Sequence, residues 1–308
     1  SSSSSSSGSS SIVSGTSGSS GSKVRRCCED ACDGEQAPAL VRCANATAPM
    51  WPARAPQARP ATSVRPSPLI LVMQLATPNL WCSFCQYTAA VNAAWASRHG
   101  HRYVVTAGGY LSQDDVWRGG NVRAVLEVLG AAPSAADWVF HLDCDAVIVD
   151  SSAADAVSSA IAEFASSETE VLMSRDETGF AGGSRLTNLG TALWRRSAWT
   201  LGFLTRAWQE LSADRSLTEQ EVLERLLARD AQGCAGRVAL LPAGRLNSES
   251  SDPIGAPPWR QPVVHLAGMP DGVRTAVFRA VWRDLCAADA EPEGAPAEWR
   301  LRDLFLRE

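Results

Sequence analysis

The chain has 308 residues, 45% of them hydrophobic, and a formal net charge of −5. The acidic balance argues against nucleic acid as a partner, because phosphate contacts need a basic face. No apolar run reaches the roughly 18 residues of a transmembrane helix, and the length suffices for one large α/β domain or two small ones.

Residues 1–67 are predicted to form a disordered, cysteine-containing stalk rich in serine and proline. Residues 1–22 are almost all serine and glycine, and the prolines that begin at Pro49 forbid both helix and central strand. Four of the nine cysteines lie in this segment, Cys27, Cys28, Cys32 and Cys43. Together with the sequon Asn45-Ala-Thr47, they indicate an oxidising, secretory compartment.

The globular part, residues 68–308, is predicted to begin with a β-α-β unit. The strand Leu69–Ala76 is continuously apolar, as in strands buried on both faces. A helix over Cys82–His99 and a strand over Tyr103–Thr106 follow. The later predicted elements are the helices Val122–Leu129, Ala153–Ser166, Ala198–Leu211, Thr218–Leu227 and Ala276–Ala287, and the strands Trp138–Leu142, Val171–Met173, Asn188–Trp194, Arg237–Leu241 and Val263–His265. This alternation predicts an α/β fold.

Two carboxylates one residue apart, Asp143 and Asp145, directly follow the buried strand Trp138–Leu142. A buried carboxylate without a partner is costly, but the carboxyl end of a parallel strand is where α/β proteins bind ligands. Two acids there can hold a divalent cation, which can in turn hold a diphosphate. The triplet alone leaves open a plain acidic turn after a strand.

His265 ends the short apolar strand Val263–His265 and is a candidate nitrogen ligand for the same cation. Gly268 follows it, and a glycine in a turn lets the backbone approach a phosphate closely. A lone histidine at the end of a strand is also a common structural residue, so the sequence alone leaves that interpretation open.

Five motifs in order resemble the retaining GT-A glycosyltransferases of family 34. That family includes fungal galactosyl- and mannosyltransferases and plant xyloglucan xylosyltransferases. The motifs are Arg98-His-Gly-His101, Asp143-Cys-Asp145, Asn188-Leu-Gly190, Glu219-Gln220 and His265-Leu-Ala-Gly268. The resemblance spans about Leu69 to Arg274. It implies a GT-A fold, which is Rossmann-like with a mixed, mostly parallel sheet flanked by helices.

The resemblance also implies a chemistry. A nucleotide sugar, with a UDP-sugar favoured over a GDP-sugar, would be held through Mn²⁺, and galactose, xylose or mannose would pass with retention to a glycan or polysaccharide acceptor. The implied metal ligands are Asp143, Asp145 and His265. The implied catalytic residues are Glu219 and Gln220, with Gln220 beside the anomeric carbon. Donor-binding roles are implied for Thr77, Arg123, Asp143, Asp145, Asn188, Gly190, Gly268 and Arg274.

The chain departs from the family pattern at three places. Glu219 stands where the family usually has Asp, and Met269 stands where it usually has Cys. A lysine expected near Trp117 has no counterpart, and Arg118 is the closest substitute. These departures leave open a catalytically inactive binding protein with the same fold.

A second alternative is a thiol-redox protein that uses Cys82 and Cys85. The segment Trp81-Cys-Ser-Phe-Cys85 follows a strand and opens a helix, as a thioredoxin-like motif would.

The expected location is the Golgi lumen. The chain begins at Ser1 in a serine tract, so an N-terminal transmembrane anchor of type II is expected upstream of it. The resemblance further suggests a homo- or hetero-oligomer with other glycosyltransferases.

Overall fold

The structure is a computed structural model that describes residues 68–77, 80–106, 119–131, 136–149, 155–175, 187–242, 244–249 and 261–288. The predicted stalk, with its cysteine group and sequon, lies outside the described residues, so its boundary at residue 68 stays a prediction. Within the described residues, no helix has both the length and the apolar character to cross a bilayer.

The described strands are β1 (Ile70–Leu75), β2 (Arg102–Thr106), β3 (Trp138–Leu142), β4 (Ala146–Ile148), β5 (Val171–Arg175), β6 (Thr187–Arg195), β7 (Val238–Leu241), β8 (Ser248–Glu249) and β9 (Val263–His265). Six of them form the main sheet in the order β2-β1-β3-β6-β5-β7. The pairs β1–β2, β1–β3 and β5–β7 are parallel, whereas β6 runs antiparallel to both of its neighbours. The predicted mixed, mostly parallel sheet is confirmed.

The described helices are α1 (Gln86–Arg98), α2 (Asn121–Ala131), α3 (Ala156–Phe164), α4 (Ala198–Ala213), α5 (Glu219–Arg229), α6 (Ala231–Cys234) and α7 (Asp271–Ala288). A π-helical turn, Trp81–Cys85, leads directly into α1. The prediction of one regular helix from Cys82 was therefore wrong in its first turn. Helix α7 begins earlier than predicted, so that Arg274 lies within it.

Both faces of the main sheet are covered. Alternate residues of β3 point to opposite sides: Phe140 packs with α3 residues such as Ile161, whereas Val139 packs with α4 residues such as Phe203. All of β3 is buried, which explains why this strand reads as a nearly continuous apolar run. The carboxyl end of this central strand is therefore fixed from both sides.

A second, smaller sheet places the acidic turn beside the strand that carries His265. Its order is β4-β9-β8. Strand β4 pairs antiparallel with β9, and Ala146 lies opposite His265. Residues distant in the chain thus meet at the end of β3.

Candidate metal centre

Asp143 and Asp145 lie on either side of Cys144 in the tight turn from β3 to β4. The backbone N–H of Asp143 donates to the carbonyl oxygen of Gly190 at 2.8 Å, and the backbone N–H of Leu266 donates to the carbonyl oxygen of Asp145 at 2.9 Å. The turn is thereby tied both to β6 and to the end of β9. The backbone positions from which the two carboxylates extend are consequently fixed.

His265 completes a compact group of three ligand-bearing side chains. Its Nε2 lies 3.3 Å from Oδ1 of Asp145 and 3.9 Å from Oδ2 of Asp143. One ligand atom from each of the three residues lies within 4.8 Å of the others. The two oxygens and one imidazole nitrogen suit a divalent cation such as Mn²⁺. The predicted ligand set is therefore brought together by the fold.

Asn247, which the sequence analysis did not single out, orients the His265 ring. Its Oδ1 lies 3.1 Å from Nδ1 of His265, and both side chains are buried. Because an amide oxygen can only accept, Nδ1 is the donor in this bond. Nε2 is then the ring nitrogen that faces the two acids, and it is the one that a cation would bind once Nε2 has lost its proton.

Replacement of Asn247 by leucine is expected to lower Mn²⁺ affinity by about 10- to 100-fold, the usual cost of losing a residue that orients a metal ligand. The measurement is calorimetric titration of the purified protein with MnCl₂. Asn247→Asp, which keeps an acceptor for Nδ1–H, is the matched control and should retain most of the affinity. Equal affinity of Asn247→Leu and wild type would contradict the orienting role.

The electrostatics of the acidic pair favour a bound cation. Burial, followed by the charge of Asp145, raises the pKa of Asp143 to about 7, although His265, Asn121 and Arg274 counteract part of the rise. Burial also raises the pKa of Asp145, but His265 and Arg274 outweigh it and hold the pKa below its ordinary value. The side chain of Asp143 is 31% exposed. A cation reaching it from solvent would relieve the repulsion between the two carboxylates.

A buried amide links this pair to the start of α5. Nδ2 of Asn121 lies 3.1 Å from Oδ1 of Asp143 and 3.0 Å from Oε1 of Glu219. Burial, then the charge of Asp143, raises the pKa of Glu219 to about 8, against hydrogen bonds from Asn121 and the backbone of Val122. Oε2 of Glu219 is buried without a hydrogen-bond partner. Glu219 is therefore largely protonated at neutral pH in the metal-free protein.

His141 is a further buried polar residue of the site. Burial and the charge of His265 lower its pKa to about 4, against a hydrogen bond to the backbone of Leu189. The ring is therefore neutral at pH 7. Its Nε2 has no hydrogen-bond partner and lies 3.7 Å from Oδ1 of Asp143. His141 was not among the predicted site residues.

Two other predicted site residues contact the metal-ligand group. Nε of Arg274 lies 3.5 Å from Oδ2 of Asp145 and 3.2 Å from the carbonyl oxygen of Leu266. Gly190 lies against the His265 ring so closely that a Cβ there would be 2.7 Å from Nε2. The role of Gly190 in this structure is to leave room for the ring.

Three further predicted residues make backbone contacts or form a turn. Oδ1 of Asn188 accepts from the backbone N–H of Gly190 at 2.8 Å. The buried Thr77 uses its carbonyl oxygen to accept from the N–H of Trp81 at 2.9 Å, at the start of the π-helical turn. Gly268 has a φ of 72° and is exposed. In the left-handed conformation of Gly268 a side chain would be strained.

Two predicted residues make their contacts elsewhere. The guanidinium of Arg123 bonds Glu127 at 2.8 Å and stacks over the ring of Trp208 at 5.6 Å. Nε2 of Gln220 donates to the carbonyl oxygen of Thr187 at the start of β6. Neither contact involves the metal-ligand group.

Cys85 forms a disulfide with Cys144 rather than with Cys82. A thioredoxin-like site would need the two cysteines of the Trp81–Cys85 segment to pair with each other. The thiol-redox alternative is therefore not supported. The disulfide instead ends at the residue between the two acids.

The mixed, mostly parallel six-stranded sheet flanked by helices is that of the GT-A glycosyltransferase fold, and the chain has this fold. A glycosyltransferase involved in the glycosylation of the major capsid of PBCV-1 superposes with a TM-score of 0.53 at 14% identity, over 69% of this chain and 99% of that chain.

Two other structures superpose with lower scores. The galactosyltransferase LgtC, solved with donor and acceptor sugar analogues, superposes with a TM-score of 0.42 at 17% identity, over 75% of this chain and 99% of that chain. Mouse xyloside xylosyltransferase 1 superposes with a TM-score of 0.39 at 11% identity, over 66% of this chain and 99% of that chain. No family model and no curated sequence matches the chain.

Proposed function

We propose that the protein is a metal-dependent retaining glycosyltransferase that moves a hexose or pentose from a nucleotide sugar to a glycan acceptor. The observation that carries the proposal is the group of Asp143, Asp145 and His265, whose ligand atoms lie within 4.8 Å of one another at the end of β3 in a GT-A fold. Two carboxylates this close together repel each other, and a cation bound between them and the imidazole would relieve the repulsion that Arg274, which lies beside Asp145, offsets in part.

In this proposal Asp143, Asp145 and His265 hold Mn²⁺. When bound, the cation stabilises the negative charge that develops on the diphosphate leaving group. Arg274 supplies a second positive charge beside Asp145, and the glycine turn at Gly268 lets the backbone come close to a phosphate. A UDP-sugar is favoured over a GDP-sugar.

Glu219 and Gln220 act on the sugar. Burial raises the pKa of Glu219 in the metal-free protein, and in its protonated form the carboxyl can donate a hydrogen bond to a sugar oxygen. Gln220, the next residue, would support the anomeric carbon on the face opposite the leaving group. The acceptor hydroxyl would attack on the leaving-group side and pass its proton to a phosphate oxygen, a route that needs no strong protein base.

The sequence alone supports the proposals for the family, the transferred sugar and the location in the cell. The five motifs favour family 34, with galactose, xylose or mannose as the transferred sugar. The sequon Asn45-Ala-Thr47 and the cysteine-rich segment favour a glycoprotein of the secretory pathway. With the resemblance to family 34, we place it in the Golgi lumen as a type II membrane protein that assembles with other glycosyltransferases.

The test is calorimetric binding of a panel of nucleoside diphosphates and nucleotide sugars, with and without Mn²⁺, by wild type and Asp145→Ala. We expect one nucleotide class to bind only with Mn²⁺, and Asp145→Ala to lose this binding because it lacks a metal ligand. Asp214→Ala is the matched control, since Asp214 is exposed and bonds Ser216 in a loop.

The same binding experiment can overturn the transferase proposal or favour an inactive binding protein instead. If no nucleotide binds in any condition, the transferase proposal is overturned. If a nucleotide sugar binds but is neither hydrolysed nor transferred to any of a set of glycan acceptors, the protein is the inactive binding protein of the same fold.

A further inference from the structure

A disulfide fastens the acidic turn at its middle residue. Cys144, between the two acids, is bonded to Cys85, the last residue of the π-helical turn. Cys85 is 0% exposed and Cys144 is 5% exposed. The covalent bond therefore sets the separation between the π-helical turn and the backbone that bears both carboxylates.

Three buried polar side chains hold the same turn through its carbonyl oxygens. Nε2 of Gln74 donates to Asp143 at 3.1 Å, the hydroxyl of Thr88 donates to Cys144 at 2.8 Å, and Nδ2 of Asn92 donates to Ala146 at 3.1 Å. Thr88 and Asn92 belong to α1, the helix that continues from the π-helical turn. The disulfide and these bonds thus anchor the acidic turn to one continuous helical segment.

The π-helical turn also contacts the helix that carries Arg274. The guanidinium of Arg274 lies over the ring of Phe84 at 5.4 Å, and the rings of Phe84 and Phe278 are 6.0 Å apart. The hydroxyls of Ser83 and Thr275 are 3.3 Å apart. The π-helical turn therefore contacts both the acidic turn and the helix that carries Arg274. Such turns are frequent at functional sites.

We propose that the Cys85–Cys144 disulfide is a positioning element of the cation site, so that opening it weakens cation binding while the protein stays folded. This inference rests on the proposed function, because it takes the cation site as given. The hydrogen bonds from Gln74, Thr88 and Asn92 remain when the disulfide opens, so the turn persists, but its carboxylates lose their fixed spacing. The expected loss is about 10- to 100-fold in affinity, as for other groups that support metal ligands.

Chemical opening of the bond needs a dithiol reductant. The dithiol gives up two electrons and two protons and closes to its own cyclic disulfide, while the Cys85–Cys144 bond breaks and both sulfurs become thiols. The oxidation state of the compartment would then set the cation affinity of the site.

The test is calorimetric titration with MnCl₂ alone, comparing wild type with Cys85→Ala, Cys144→Ala and the double variant. We expect the same loss of affinity in all three, because either single change already removes the bond. Cys234→Ala is the matched cysteine control: Cys234 is buried in a separate core cluster and is not in a disulfide. Phe203→Leu, in that same separate cluster, controls for destabilisation and should leave Mn²⁺ affinity unchanged.

The possible outcomes distinguish a failure of the positioning role from a failure of the proposed function. A wild-type protein that binds no Mn²⁺ would overturn the proposed function. Variants that bind as tightly as a Mn²⁺-binding wild type would overturn the positioning role alone. If the variants do not fold, wild type is titrated before and after dithiol treatment, with the thiols at Cys85 and Cys144 counted by mass spectrometry. Unchanged affinity after both thiols appear overturns the inference.

Discussion

Gly190→Ala is expected to lower Mn²⁺ affinity by about 100-fold, because the new methyl group would occupy the space of the His265 ring. A Cβ at this position would lie 2.7 Å from Nε2 of His265. The ring cannot yield easily, since Asn247 holds its other nitrogen and β9 is paired with β4. Displacing the ring moves Nε2 away from the acids, and the overpacking should cost roughly 1–3 kcal/mol of folding stability.

The matched control is Gly202→Ala in α4, where a Cβ would meet nothing within 4 Å. Alanine in an exposed helix position is more favourable than glycine by up to about 1 kcal/mol. Titration with MnCl₂ and chemical denaturation give the two readouts. The expected pattern is loss of both affinity and stability in Gly190→Ala and neither loss in Gly202→Ala. Wild-type affinity in Gly190→Ala would show that His265 does not ligate the cation.

Glu219→Gln is expected to stabilise the cation-free protein at alkaline pH while changing little at pH 4 to 5. Burial and the charge of Asp143 raise the pKa of Glu219 to about 8 in the folded protein, from an ordinary value of 4.5. Between these two values the folded state binds a proton that the unfolded state releases. The stability that Glu219 contributes is therefore complete below pH 4.5 and is lost as pH rises through 8.

Glutamine carries no titrating proton, so the variant should lack this loss. The free energy of unfolding of Glu219→Gln should exceed that of wild type by an amount that grows from pH 5 to pH 9 and reaches on the order of 4 kcal/mol. The measurement is chemical denaturation at pH 5, 7 and 9 with a chelator present. His141 is present in both proteins, so its contribution largely cancels in the difference, whereas the repulsion between Asp143 and Glu219 is part of what the difference measures.

Glu168→Gln is the control, because Glu168 is exposed at a turn between α3 and β5. It should show no difference that grows with pH. A constant gap between Glu219→Gln and wild type from pH 5 to pH 9 would mean that Glu219 is ionised throughout. The proposed donation of a hydrogen bond by a neutral carboxyl would then fail.

The strands that frame the site could be predicted from the sequence because both of their faces are buried. Strand β3, Trp138–Leu142, and β9, Val263–His265, have the predicted bounds. Each strand is a continuous apolar run that ends at an acid or a histidine, so the sequence itself marks where the strand ends. The candidate metal ligands could be predicted for the same reason, since Asp143 directly follows β3, Asp145 lies two residues further on, and His265 ends β9.

The supporting residues could not be predicted because they act through contacts with residues that are distant in the chain. Asn247 precedes the two-residue strand β8, and neither was predicted. Asn121 opens α2, yet nothing in its neighbourhood indicates a bond to Glu219, which lies far along the chain. The pairing of Cys85 with Cys144 was hidden by the nearer Cys82, which suggested a local motif.

The pairing of β4 with β9 has a consequence for how the chain matures. His265 lies far along the chain from Asp145, and the two meet only after β9 has docked between β4 and β8. Pairings between such distant segments form slowly, because they carry the entropy cost of closing a long loop. A cation that needs all three residues binds only the finished fold and stabilises it by mass action. A nascent chain or a fragment that ends before β9 would hold both carboxylates and still take up no Mn²⁺ with high affinity, so cation uptake reports completion of the domain.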